Sequence, residues 1–253
     1  DISFQDVYPL YGQFDIRGSS DARNSSIQAD LMDQLNLADD VLRVASKKNK
    51  LPIYQQLLFR INQYRSALGQ AIHAGDEVKI LDFIKREIDP VFDFLEKQDG
   101  QQENVKRYRD ALDKDLGVVY NRRKDYERSV TMINDRICEY VEQQQNMAQQ
   151  MFPHYFEKYK TDGVEYNAYI GQSLIQGEDY HPLYLKNLRL WQLLLTCGVE
   201  NIHQSFKNEL PVPLGITSLI LVHSNPLAIR FRMDEKRFDV DGAYNIRYEI
   251  LKK

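Results

Sequence analysis

The stretch Asp15-Ile16-Arg17-Gly18-Ser19-Ser20-Asp21-Ala22-Arg23 sets two arginines and two hydroxyls at the expected start of a helix. Unpaired N–H groups and the helix dipole favour anions at such a point, which makes Asp15, Arg17, Ser19 and Arg23 candidate residues for binding a phosphate or carboxylate. The competing arrangement is internal: Asp15 pairs with Arg17 while Ser19 or Ser20 caps the helix. A second grouping is aromatic. The chain has sixteen tyrosines, and Tyr155, Tyr159, Tyr166, Tyr169, Tyr180 and Tyr184 gather where a helical pattern gives way to a strand pattern. Tyr155 and Tyr166 could line a pocket with Arg17 for a small planar or anionic ligand, and the same rings equally suit an amphipathic seam between domains.

Other chemistries find no anchor. Phe238-Asp239-Val240-Asp241-Gly242 contains Asp-x-Asp followed by Gly, but a calcium loop counted from Asp239 needs Gly and Glu where Tyr244 and Ile250 stand. A turn with a helix cap is the simpler reading. His73, His154, His181, His203 and His223 are scattered without helical metal-ligand spacing, so neither a metal nor a cofactor is expected. Ser173, Ser205 and Ser224 lack the nucleophile-elbow glycines, and no glycine-rich phosphate loop is present. Arg230, Arg232, Lys236 and Arg237 form a small basic group read as a solvated face.

Composition narrows the setting. The 253 residues, 43% hydrophobic, can build a real core and suit two domains. A formal net charge of −4 offers no general attraction to nucleic acid or anionic lipid. Cys138 and Cys197 fall within apolar periodic segments, as expected of packed, reduced thiols in the cytoplasm. No apolar run approaches the roughly 18 residues that span a bilayer. The chain opens on Asp1 and closes on Glu249-Ile250-Leu251-Lys252-Lys253, which reads as a piece of a longer protein truncated at its C-terminus.

The elements that must position these groups follow from periodicity. Residues 1–18 are apolar enough to pack as an extended arm. Helical stripes then run through Ile27, Leu31, Leu35, Ala38, Val41, Leu42 and Ala45, through Ile53, Leu57, Ile61, Tyr64, Leu68 and Ile72, and through Val78, Leu81, Ile84, Ile88, Phe92 and Leu95. Pro90 predicts a kink in the third. Val105, Leu112, Val119, Tyr126, Ile133, Tyr140 and Met147 recur at a step of seven with no proline between residues 101 and 150, and Ile137 joins the same stripe. That predicts one helix of roughly 70 Å whose seam meets partner helices. Val164 to Ile170 alternates as a strand, a helix follows from Pro182, and Ile216 to Val222 turns through His223-Ser224-Asn225-Pro226 into Leu227 to Met233 as a hairpin. Asp241 is placed to cap a last helix bearing Ala243, Ile246 and Ile250, with a strand as the alternative. The expected fold is α+β and mainly α: an N-terminal helical bundle with one very long helix over 1–150, then a small α+β region with a β-hairpin over 151–253.

Three strings carry a resemblance: Val7 to Ser20 (VYPLYGQFDIRGSS), Met151 to Tyr166 (MFPHYFEKYKTDGVEY) and Phe231 to Asn245 (FRMDEKRFDVDGAYN). Together they resemble large cytoplasmic GAF-domain-containing proteins of the Bacteroidetes, along essentially the whole chain. The resemblance implies a stretch outside the GAF module that continues beyond Lys253, and a parent protein that senses small molecules elsewhere. It implies no residue roles.

The expected function is therefore a non-enzymatic helical connector or scaffold in a cytoplasmic sensory protein. Its expected partners are a second copy, met along the long helix, and other domains of the parent, with neither nucleic acid nor membrane. The alternative is a small-molecule binding or enzymatic domain with a pocket between bundle and strands.

Overall fold

The computed structural model describes residues 2–70, 72–73, 75–98, 100–175, 179–240 and 248–250. By contact density the chain forms two compact units, one of Ser20–Glu127 and one of Asp1–Ser19 with Arg128–Lys253. This grouping places the first residues with the strands, where the sequence reading set 1–150 against 151–253.

The unit Ser20–Glu127 is helical. α1 (Ser19–Lys48) and α2 (Pro52–Leu68) run as their stripes predict, with Pro52 in the first turn of α2, where its missing N–H costs nothing. α3 (Asp76–Phe83) passes through a π-helical turn, Ile84–Ile88, into α4 (Asp89–Glu96). The wider turn stands immediately ahead of Pro90, which has no N–H for the helical ladder. α5 (Gln102–Asp110) completes the set, and Leu35, Leu42, Leu57, Ile61, Ile88, Phe92 and Val105 lie fully enclosed in one apolar cluster.

The single very long helix is absent. Between α5 and α6 (Asn121–Met151) the chain turns through residues 111–120. The Asp113 carboxylate accepts from the N–H groups of Asp115 and Leu116 at 3.0 and 3.1 Å, and Gly117 adopts a left-handed φ of 66°. An Asx-type turn closed by glycine offers the backbone partners that helix would otherwise supply. α6, at 31 residues, is hardly longer than the 30 of α1, so the architecture is not a helical bundle with one overextended member. Its buried positions also drift. Tyr126 and Ile133 are buried on the seven-step line, but further along Val141 and Ala148 are buried while Tyr140 is half-buried and Met147 exposed. That one-residue slip is what a straight helix of 3.6 residues per turn does to a seven-residue repeat. Val105, Val119, Tyr126, Ile133 and Ile137 are enclosed within a single chain, and Leu112 packs partly buried against the helical core.

The other unit is built on a curled antiparallel sheet. Its described strands are β1 (Ile2–Arg17), β2 (Tyr155–Lys160), β3 (Gly163–Ile170), β4 (Gly215–His223), β5 (Leu227–Arg232), β6 (Arg237–Val240) and β7 (Tyr248–Ile250), ordered β2-β3-β1-β4-β7 with β5 on β1 and β6 on β5. The expected arm is thus the central strand. Residues 10–15 of β1 lie between β3 and β4, and Ile2, Ser3, Phe4 and Val7 pair with β5 around a bulge that includes Asp6, whose φ is 54°. The expected hairpin of Ile216–Val222 with Leu227–Met233 does not form: β4 pairs β1 and β7, while the hairpins are β2–β3 and β5–β6. The last expected helix falls largely on residues 241–247, outside the described residues, and Tyr248–Ile250 is a strand.

Alternation gives the sheet two faces. Leu10, Phe14 and Ile16 join Val164, Tyr166, Ala168, Ile216 and Ile220 on a buried face. α7 (Pro182–Phe206) packs on this sheet with Leu188, Trp191, Leu195 and Val199 inward, and Gln192 Nε2 donates to the Tyr11 carbonyl at 2.9 Å. The later part of α6 meets the β2–β3 hairpin, where Asn134 donates to Thr161 O and Lys158 Nζ donates to Cys138 O.

Candidate functional site

Arg17 is the last residue of β1, opposite Gly215 of β4, and its Nη2 donates to the Ile216 carbonyl at 3.2 Å. One donor is thereby anchored on a strand, and the guanidinium keeps further N–H groups for a ligand. Arg17 opens on a cleft of about 210 Å³ lined also by Thr196, Glu200, Ile216, Thr217 and Ser218. Thr196 and Glu200 stand one turn apart on α7, and the other three are consecutive on β4. Thr196 Oγ1 donates to Gln192 O at 2.9 Å, which orients its lone pairs, while Glu200 accepts from Gln204. Arginine, glutamate and three hydroxyl-bearing residues therefore line one small cleft.

The other expected residues go elsewhere. Asp15 does not pair with Arg17; it accepts from Gln13 Nε2 at 2.8 Å, and Gln13 also reaches Glu165 and accepts from the Tyr11 hydroxyl. This ladder occupies the sheet face away from α7. Burial, then Glu165, then Asp15, pushes the Tyr11 phenol up to about 12. Ser19 is the first residue of α1, and Arg23 lies on α1 in the helical unit. Tyr155 and Tyr166 face opposite sides of the sheet, as their register shows: Tyr155 sits across from Tyr169, whereas Tyr166 sits across from Lys158. Tyr155 joins Phe238 at 4.4 Å and Tyr169 at 6.0 Å, and Tyr166 is enclosed among Phe14, Phe156 and Trp191. They share no pocket, and burial drives the Tyr166 phenol far above its ordinary range.

A second cleft, of about 310 Å³, lies in the helical unit among Asp40, Arg43, Lys47, Asn104, Arg107 and Tyr108. Its cations stand on long exposed stems, and Arg43 is already held by Asp39 at 2.5 Å. The Arg17 cleft is the better-built site because Arg17 is anchored on the Ile216 carbonyl and the other lining residues belong to a packed strand and a packed helix.

His154 and His203 are both buried. His154 Nδ1 meets Phe152 O at 2.8 Å and Nε2 meets Gln145 at 3.0 Å, while His203 Nε2 meets Leu214 O at 2.9 Å. Burial lowers the pKa of each. Among the described residues no group of three or more His, Cys, Asp or Glu is placed to hold a metal ion. Cys138 is buried, but Cys197 is exposed rather than packed. Asp239 is engaged by Arg232 and Arg237, and Asp241 and Gly242 lie outside the described residues. Among the described residues, no helix is long and apolar enough to cross a membrane.

Thr196, Glu200 and Ser218 carry no local signal that singles them out, because only tertiary pairing brings them beside Arg17. No curated protein and no solved structure matches the chain. The model of a family described as "YeeD uncharacterised protein" matches residues 25–137, from α1 into the first half of α6, and includes none of the strands.

Proposed function

We propose that this chain is a non-catalytic ligand-binding module of a cytoplasmic sensory protein, and that it takes a small carboxylate-bearing molecule in the Arg17 cleft. The observation that carries this reading is the placement of Arg17 and Glu200, opposite in charge, on one cleft that Thr196, Thr217 and Ser218 also line. A guanidinium presents a fork that a carboxylate fills with two parallel hydrogen bonds, and a carboxylate such as Glu200 suits an ammonium or hydroxyl on the same ligand. Size selects further. At about 210 Å³ the cleft is smaller than the roughly 300–1,000 Å³ of sites for drug-sized ligands, which favours molecules of amino-acid dimensions over nucleotides. Separation of Tyr155 from Tyr166 removes the support for an aromatic pocket.

The connector role expected from the sequence enters as the output of this site. α6 has its first residues in one compact unit and the remainder in the other, so a change in its register would be felt in both. The GAF-containing parent belongs to the same proposal.

A thermal-shift screen of free amino acids, short dicarboxylates and nucleotides tests it. Binding to the folded state raises the melting temperature with ligand concentration, and an amino acid or dicarboxylate is expected to do so in the wild type but not in Arg17→Ala. A flat screen, or equal shifts in the variant, overturns the reading.

A further inference from the structure

We propose that the outward face of the α6–α7 pair is the surface through which two copies of this chain associate. The two helices lie side by side and antiparallel. A Cβ added to Gly198 of α7 would run into the ring of Tyr140 on α6, and Phe152, just past the end of α6, stacks on Tyr184 of α7 at 4.0 Å and 21°. From residue 140 to 152, α6 therefore runs alongside α7 from 198 back to 184.

Helical spacing places the apolar residues on this pair. Tyr140, Gln144, Met147 and Met151 form one stripe of α6, on the side that Tyr140 turns toward α7. Beside Gly198 and Tyr184 on α7 run Leu183, Leu190 and Leu194. These side chains are open to solvent: Leu194 is 70% exposed, Leu190 59%, Leu183 55%, Met147 51% and Met151 49%. α7 is thus apolar on two sides. One side, with Leu188, Trp191, Leu195 and Val199, is buried, and the other, with Leu183, Leu190 and Leu194, is exposed. Together the five residues leave roughly 500–600 Å² of apolar surface open, at the upper end of what a monomer's largest patch shows. It approaches the ≈800 Å² per partner of a stable interface.

The chemistry points to a second copy as the occupant. Residues 143–151 of α6 and 190–199 of α7 contain no Asp, Glu, Lys or Arg. Lys186, exposed beside Leu183 and Leu190, is the charge that borders the face, so an acidic partner would find little to pair with and a basic one nothing in these two stretches. A two-fold contact sets the same patch against itself, so a charge near the axis would meet its like, and the Leu and Met centre of this face avoids that conflict. Two antiparallel pairs meeting face to face would form a four-helix contact. Of the residues expected to form a helix seam between chains, Ile133 and Ile137 are enclosed within the chain, whereas Tyr140 and Met147 lie on this stripe.

The test is the solution mass of the chain by light scattering across a concentration series, for the wild type, for Leu190→Asp with Leu194→Asp, and for Phe59→Asp on the exposed surface of α2. The expected result is a dimer whose dissociation constant rises at least about 100-fold in the double variant, as loss of two buried leucines requires, and is unchanged in Phe59→Asp. Near-UV circular dichroism of Trp191, on the packed side of α7, verifies that the fold persists. If the aspartates disturb it, Leu190→Gln with Leu194→Gln takes their place, with a rise of at least about 10-fold expected. A wild type that stays monomeric, or a dimer that persists in a folded double variant, overturns the proposal.

Discussion

The carboxylate of Asp30, in α1, accepts a hydrogen bond from the backbone N–H of Arg123 at 3.0 Å while also taking those of Asn121 and Arg122 at 3.2 and 2.8 Å. Asp30 is fully enclosed, and Arg123 Nε approaches it at 3.7 Å while Nη1 pairs with Glu77 at 2.5 Å. A side chain from one helix thus satisfies the opening N–H groups of another, in the position where an anion is most favoured. One turn on, Gln34 donates to the Tyr108 hydroxyl and accepts from Val119 N–H. The break between α5 and α6 is held by these two polar side chains on α1.

Removing that cap has a defined consequence. Asp30→Ala leaves the N–H groups of Asn121, Arg122 and Arg123 without their partner and the Arg123 guanidinium with Glu77 alone, and is expected to cost about 3–5 kcal/mol. Asp30→Asn keeps the shape but loses the charge, and is expected to cost about 1–3 kcal/mol. Urea unfolding followed by helical circular dichroism measures both. Equal stability of Asp30→Ala and wild type would show that water replaces the cap.

The turn itself makes a second prediction. Gly117 sits at φ 66°, so Gly117→Ala is expected to destabilise the helical unit by about 1–2 kcal/mol, whereas alanine at an exposed helical position would not. If Gly117→Ala raised the melting temperature, the two helices would be continuous after all.

Close packing beneath Tyr166 makes a third. A Cβ on Gly12 would overlap the Tyr166 ring, and that ring is enclosed among Phe14, Phe156 and Trp191 with no room to retreat. Gly12→Ala is expected to cost about 1–3 kcal/mol, part of which should return when Tyr166→Leu is added. Additive losses in the double variant, measured by urea unfolding, would contradict direct contact.

Acid stability follows from the buried histidines. Burial lowers the pKa of His154 and His203 below their ordinary 6.5, so the unfolded chain binds protons there that the folded chain refuses. Their contribution to stability is full above pH 6.5 and is lost as pH falls from 6.5 toward the folded pKa values. Urea midpoints measured between pH 7.5 and about 5 should fall, and His203→Gln should flatten the slope. An unchanged slope in that variant would place the acid sensitivity elsewhere.

Local signals in the sequence were legible where the partner is nearby in the chain. Lys47-Lys48 ends α1, Pro52 opens α2 and Pro182 opens α7, and the alternation in Val164–Ile170 marks β3. What could not be read locally was pairing at long separation. β1 carries clear alternation through Leu10, Phe14 and Ile16, but only β3 and β4, some 150 and 200 residues away, make it central rather than an arm. The seven-step repeat misled because it counted apolar residues and the lack of proline while passing over Asp113 and Gly117, the residues that stop the helix. Arg17 stood out as a cation at the expected start of a helix, whereas Glu200 is an ordinary helical acid until the fold sets it on the same cleft.

The measurement that bears most directly on the central claim is a titration of the isotope-labelled chain with free amino acids and short dicarboxylates, read by backbone amide chemical shifts. Saturable shifts are expected at Arg17, Thr196, Glu200, Thr217 and Ser218, and they should vanish in Arg17→Ala. Shifts confined to Arg43, Lys47 and Arg107 of the helical unit, or none at all, would contradict it.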